Sequence, residues 1–144
     1  MFEFLLYKTK LFFGKAYKAC FGHKYWRLNG KLHRENGPAI EWADGHKEWF
    51  LNGNRHRENG PAIEFTNGSK VWCFHGEYHR EDGPAVEYAD GSKAWFLNNK
   101  RHRVDGPAVE YANGHKEYWV DGKRLGFITS DQMLVYYLKY GFLK

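Results

Sequence analysis

Apolar and polar residues alternate along this chain in short runs. In AIEW, Ile40 and Trp42 point one way while Ala39 and Glu41 point the other; in HKEWFL, Trp49 and Leu51 share a face opposite Glu48 and Phe50. A period of two belongs to a β-strand. Turn dipeptides separate the runs. Asp44-Gly45, Asn67-Gly68, Asp90-Gly91 and Asn113-Gly114 suit a two-residue type I′ hairpin turn, in which both residues take positive φ. A second tight turn is expected at Asn52-Gly53. Gly60-Pro61 then restarts the next strand, because a residue without an N–H fits the first position of a strand and not its middle. The pattern predicts a series of β-hairpins.

The series has a fixed step. HRENGPAIE occurs at His33 and again at His56, HREDGPAVE at His79 and HRVDGPAVE at His102, each 23 residues after the last. The unit is longer than nine residues: GHKYW at Gly22, GHKEW at Gly45, GSKVW at Gly68, GSKAW at Gly91 and GHKEY at Gly114 keep the same step. Four copies are complete, and the fifth has Leu125-Gly126 where His-Arg is expected. One hairpin is not stable alone in water, so such units bury their apolar faces by stacking. In register, stacking aligns Trp26, Trp49, Trp72, Trp95 and Tyr118 in one ladder and Trp42, Phe65, Tyr88 and Tyr111 in another. Glu41, Glu64, Glu87 and Glu110 form a third, and Lys24, Lys47, Lys70, Lys93 and Lys116 a fourth. Successive rungs should lie about 10 Å apart, two strand spacings.

The 23-residue period, the hairpin and the aromatic-x-x-G-x-x-H signature resemble a MORN repeat. The variant with Gly-Pro-Ala after His-Arg is similar to the divergent bacterial and viral branch, close to the repeats of YwqK-like antitoxins. The resemblance covers residues 22–125. It departs from the usual H-G-x-G unit, since Arg34, Arg57, Arg80 and Arg103 replace the first Gly and one extra residue precedes Gly-Pro. The resemblance implies a hairpin stack and a scaffolding or binding role; some family members bind acidic phospholipids.

Charge narrows the partners. The net charge is +5, yet residues 22–121 hold 14 Lys/Arg against 15 Asp/Glu. The excess sits at the ends: four Lys against one Glu in residues 1–21, and four Lys/Arg against one Asp in 122–144. A repeat surface that tracks nucleic acid should carry the excess itself, so a nucleic-acid partner is not expected. Cys20 and Cys73 lack metal spacing and fit a reducing compartment. The N-terminal run resembles a signal peptide, but Lys8 and Lys10 interrupt it without a clean cleavage site. It is too short to span a membrane, and a cytoplasmic protein is expected.

The ends read as caps for exposed sheet edges. Residues 1–21 are expected to hold an amphipathic helix over 2–20, with Phe2, Leu5, Leu6, Phe12, Phe13, Ala16 and Cys20 on one side and Gly14 as a flaw. Its lysines give it a second reading, as a helix lying on an anionic membrane surface. In 126–144, Thr129-Ser130-Asp131-Gln132 offers a capping box for a short helix ending before Gly141.

Two sets of residues are candidates for function. The first is the ladder of His33, Arg34, His56, Arg57, His79, Arg80, His102 and Arg103. A row of guanidinium groups could take phosphates from an acidic lipid or a nucleotide. Alternatively each Arg pairs with a repeat carboxylate, from the Glu ladder or from Glu35, Glu58 and Glu81, while His fixes the turn. Matching numbers of Arg and Glu and near-neutral repeats favour the internal role. The second set breaks the repeat: Tyr25, Arg27, Phe50, Phe96 and Trp119. They belong to two variable columns on the face opposite the Trp/Leu ladder, which either meets a partner or lies under the terminal helices.

No metal site is expected. Rungs about 10 Å apart cannot share an ion; a site would need His from different columns, such as His75 and His79. No catalytic motif recurs beside a His, so neither enzyme activity nor a cofactor is expected. The sequence thus predicts an all-β repeat: a solenoid-like single antiparallel sheet of MORN-like hairpins between two short capping helices. The function expected is non-enzymatic binding of a protein partner, in concrete form a bacterial or phage protein that neutralises a toxin or host defence protein. An anion-binding module and a homo-oligomeric structural element are the alternatives.

Overall fold

The computed structural model describes residues 15–126, together with Val135 and Leu138. One antiparallel sheet runs the length of the described chain. Its strands follow each other as Lys15–Cys20, His23–Leu28, Ile40–Glu41, Lys47–Glu48, Ile63–Glu64, Lys70–Val71, Val86–Glu87, Lys93–Ala94, Val109–Glu110 and Lys116–Glu117, with Lys31–Leu32 added beside the second. Register is uniform: Glu41 faces Lys47, Lys47 faces Glu64, and Glu64 faces Lys70. The Glu and Lys ladders therefore interleave on one face, and opposite charges meet across each strand pair.

The structure is not a single sheet. After Trp49 the chain leaves the long sheet and forms a separate small hairpin, Phe50–Leu51 against Asn54–Arg55. Cys73–Phe74 with Glu77–Tyr78, Phe96–Leu97 with Lys100–Arg101, and Trp119–Val120 with Lys123–Arg124 repeat it. The tryptophan backbone divides the two. Within its own copy, Trp49 N–H donates to Ala62 O of the long-sheet segment, and Trp49 O accepts from His56 N–H of the His-Arg loop. Neighbouring small hairpins are themselves joined, Gly53 N–H to Leu32 O and Gly76 N–H to Arg55 O, both at 2.8 Å.

The turns exchange the roles expected of them. Asn52 and Gly53 both take positive φ (52° and 89°), so the type I′ turn sits in the small hairpin. At Asp44-Gly45 only the glycine is left-handed (φ 95°). Gly45 N–H donates to Trp42 O and Trp42 N–H to His46 O, the three-residue loop with a glycine bulge. Asp44 is used for its side chain: Oδ1 accepts from His46 N–H at 3.0 Å, as Asn67, Asp90 and Asn113 accept from Ser69, Ser92 and His115. This local bond favours Asp or Asn in a turn without positive φ.

The core lies between the long sheet and the row of small hairpins. Ala62, Ile63, Val71, Val86, Ala94 and Val109 pack with Cys73, and Phe96 and Trp119 close over them. It is thin: among described residues Val120 is the largest side chain that is fully buried. Alternation persists through the bend, which buries Glu48 and Phe50 on the same face.

The helix expected over 2–20 is corrected in its second half. Lys15–Cys20 is a strand, paired with His23–Leu28 from Lys15 opposite Leu28 to Cys20 opposite His23. Phe21 and Gly22 supply a turn with positive φ at both positions (51° and 80°). Pairing satisfies backbone groups that the first repeat strand would otherwise leave at an open edge. Residues 1–14 lie outside the described residues. The C-terminal helix also falls outside them, apart from Val135 and Leu138, which are helical and exposed.

Candidate functional site

The His-Arg pair does two different things. Each Arg closes on its own copy. The Arg57 guanidinium lies 3.9 Å above the Trp49 ring, and Nη1 donates to Pro61 O at 3.0 Å and to Glu64 Oε1 at 2.8 Å. Arg34 does the same with Trp26, Pro38 and Glu41, Arg80 with Trp72, Pro84 and Glu87, and Arg103 with Trp95, Pro107 and Glu110. The Gly of Gly-Pro-Ala follows from this packing. A Cβ at Gly37 would stand 2.9 Å from Arg34 Cζ, and one at Gly60 3.1 Å from Arg57 Cζ. Desolvation works to raise the Glu41 pKa, but the hydrogen bonds and charges of Lys24 and Arg34 outweigh it and hold the carboxyl below its usual value. Asp82, bonded to Arg80, is lowered in the same way.

Each His reaches the next copy. His33 Nδ1 lies 3.1 Å from Asn52 N, His56 Nδ1 3.1 Å from His75 N, His79 Nδ1 3.4 Å from Asn98 N and His102 Nδ1 3.2 Å from Asp121 N. The target is always the first residue of a type I′ turn, held at positive φ. At His56 only the turn N–H meets Nδ1, so the neutral ring carries its proton on Nε2. Burial pushes the His56 pKa below the ordinary 6.5, aided by the charge of His75 and opposed by Glu58. The fifth copy replaces the pair with Leu125-Gly126, and Leu125 packs apolarly with Val120, Tyr118 and Val104.

Clefts of about 500, 630 and 690 Å³ separate successive His-Arg loops. Their walls mix signs: the middle one carries Arg57 and Arg80 together with Glu58, Glu81 and Asp82. The four arginine side chains are only 22–29% exposed, and each is paired with a carboxylate. Such clefts lack the uncompensated positive charge that collects phosphates.

The irregular residues fall in different places. Phe50 is buried at 9% beside Ala39 and Ile40, with Tyr25 half-buried against the same cluster. Phe96 and Trp119 are half-buried against the core, and Arg27 is exposed. Phe50 is therefore a packing residue and offers a partner no surface. The bend at Trp49 turns that column inward, which strand alternation alone could not indicate. Other aromatics are exposed: Phe65 (40%), Tyr88 (52%) and Tyr111 (39%) continue the row begun by Trp42, while Phe21, Phe74 and Tyr78 are exposed outside that row. His46 stacks between Trp42 and Phe65, with ring centroids 5.9 and 4.6 Å away.

Sequence reasoning also missed a buried carboxylate held by an exposed arginine. Glu48, 5% exposed, accepts from Arg55 Nε at 2.9 Å and from Trp42 Nε1 at 3.2 Å. Glu117 keeps the arginine, Arg124 at 3.1 Å, but accepts its indole bond from Trp119 Nε1 at 2.9 Å, a residue of the Phe50 column and not of the Trp42 column. The signal was a column that changes in step with another seven residues on.

Among the described residues no group of three or more His, Cys, Asp or Glu is placed to hold a metal. His75 stacks on His56 at 4.5 Å, whereas His79 meets Phe74 at 6.0 Å. Cys73 is buried, and burial pushes its thiol up to about 11, which removes it as a nucleophile at neutral pH. No helix among the described residues is long and apolar enough to cross a membrane. The chain matches no protein-family model and no curated protein sequence.

Proposed function

We propose that the chain is a non-enzymatic, MORN-like protein-binding module. The observation that carries this reading is the exposed row of Phe65, Tyr88 and Tyr111, borne on a sheet whose copies are stapled to one another. Rigidly held aromatic side chains give large contact area at low entropic cost. In its concrete form the protein acts in the cytoplasm of a bacterium, or there on behalf of a phage, and neutralises a toxin or host defence protein by covering it. The internal engagement of Arg34, Arg57, Arg80 and Arg103 weighs against the anion-binding alternative. In this reading the Lys15–Cys20 strand covers one edge of the sheet and the C-terminal helix caps the other.

The test is capture from native lysate by the immobilised chain, compared with a Phe65→Ser, Tyr88→Ser, Tyr111→Ser variant. The wild-type chain should retain one protein at stoichiometric amount that the variant loses. Identical recoveries from both would overturn the reading.

A further inference from the structure

The five copies can be compared at two coupled columns, one in the long sheet and one in the small hairpin. They hold Tyr25 with Leu32, Glu48 with Arg55, Val71 with Tyr78, Ala94 with Arg101, and Glu117 with Arg124. Four copies match: carboxylate and guanidinium are both present or both absent. The fourth keeps the arginine and has alanine where the carboxylate belongs.

The register shows that this is one place in the fold. Ala94 lies opposite Val86 as Glu48 lies opposite Ile40, and Arg101 lies opposite Phe96 as Arg55 lies opposite Phe50. In the second copy Glu48 receives Arg55 Nε. In the fourth, Arg101 Nε is buried with no hydrogen-bond partner among the described residues. A buried donor of a charged group without an acceptor is costly, so an acceptor there is strongly favoured. Rings hold the guanidinium in place, Trp119 at 5.1 Å and Phe96 at 6.0 Å.

Arg101 lines a cleft of about 210 Å³ with Tyr88, Tyr111, Ser92, Ala94 and Asp90. Tyr88 and Ser92 stand where the second copy has Trp42 and His46, the groups around the Glu48 carboxylate. Their hydroxyls can donate in turn. Asp90, whose Oδ1 accepts from Ser92 N–H, keeps its charge, yet the second copy accommodates a carboxylate at the equivalent place. The equivalent Asp44 makes the same bond beside Glu48. With one cation and one fixed carboxylate the cleft suits a monoanion and not a phosphate.

We propose that the cleft between Tyr88 and Tyr111 binds a carboxylate, which takes on Arg101 the place that Glu48 occupies on Arg55. The occupant is an Asp or Glu side chain of the bound protein; that identification rests on the protein-binding reading, whereas the site itself stands without it. The chemistry is shared with free small carboxylates, and the experiment separates the two.

The Arg101 Nε–H resonance of the full ¹⁵N-labelled chain reads the site directly. Titration with acetate should move it saturably. Ala94→Glu should move it the same way without acetate, abolish the response and raise Tm by several degrees. Arg101→Met, which removes the donor, should leave the Tyr88 and Ser92 amides unresponsive to acetate. It keeps the test open should Ala94→Glu fold poorly. No saturable shift in the wild-type chain, or an undiminished amide response in Arg101→Met, would overturn the site. A blocked tripeptide with a central Glu should reproduce the acetate shift, and its Gln counterpart should not. Response to acetate but not to the Glu peptide would keep the site and overturn the side-chain occupant. Capture by the immobilised chain would then stand or fall separately.

Discussion

The His-Arg loops and the column from Tyr25 to Glu117 belong to the same repeat, yet one is nearly uniform and the other changes from each copy to the next. The difference lies in how many partners each side chain must satisfy. Arg57 is fixed by a ring, a carbonyl, a carboxylate and a glycine, all of which recur. His56 must meet a backbone N–H one copy away, and every copy must present that N–H at the same point. Changing one member breaks several contacts at once. Position 48 answers mainly to one partner seven residues on, so the pair can change together and leave the stack intact. Uniformity here marks architecture, and irregularity marks where individual copies are free to differ.

The largest effect should come from breaking the uniform side. Arg57→Ala with Arg80→Ala removes two rings' cation contacts and the charge-assisted bonds to Glu64 and Glu87. The expected loss is about 3 kcal/mol for the pair, allowing for partial exposure. Urea unfolding at low and moderate salt measures it. Unchanged stability would mean that the arginines are held in a row for a ligand after all.

Much of this side could be read from the sequence because it recurs. The 23-residue step, the hairpins, the Glu and Lys ladders and the internal role of Arg all follow from residues that reappear at fixed spacing. The bend at Trp49 could not be read, since alternation continues unbroken from Glu48 to Phe50 while the hydrogen-bond partners change. The turn types were exchanged for a related reason: Asp-Gly supports positive φ at both positions, but Asp44 is better used by accepting from His46 N–H. The Lys15–Cys20 strand lies outside the repeat, so no ladder announced it. The empty half of the fourth copy's charge pair was visible in the letters, but its meaning required the register.

Glu48→Ala makes the second copy resemble the fourth. It leaves Arg55 Nε and Trp42 Nε1 without their acceptor, at about 2 kcal/mol. It should also give the Arg55 Nε–H resonance the acetate response proposed for Arg101. Loss of stability without that response would mean that a missing carboxylate alone does not make a site.

A smaller effect comes from pH. The fold uses neutral His56, and burial holds its pKa below 6.5. The unfolded chain takes up its proton first as pH falls. Stability from this ring is therefore complete above 6.5 and is lost as pH drops through the folded value. His56→Ala should cost about 1 kcal/mol at neutral pH by orphaning His75 N–H, and the difference from wild type should shrink in acid. A gap that widened in acid would show that the charged ring is the form the turn prefers.

The smallest effect on stability should fall where the greatest effect on function is expected. Phe65→Ser and Tyr88→Ser alter side chains that are 40% and 52% exposed, and each should shift unfolding by only about 0.5 kcal/mol. Phe65 stacks on His46, so its cost should be the larger of the two. Capture of a partner should nevertheless fall many-fold, because buried aromatic anchors dominate such interfaces. The comparison turns on this inversion. If the aromatic variants unfolded as readily as Arg57→Ala with Arg80→Ala, the exposed row would be one more element of the stack. If they were stable and still captured the same protein, the binding surface would have to be sought away from Phe65 and Tyr88.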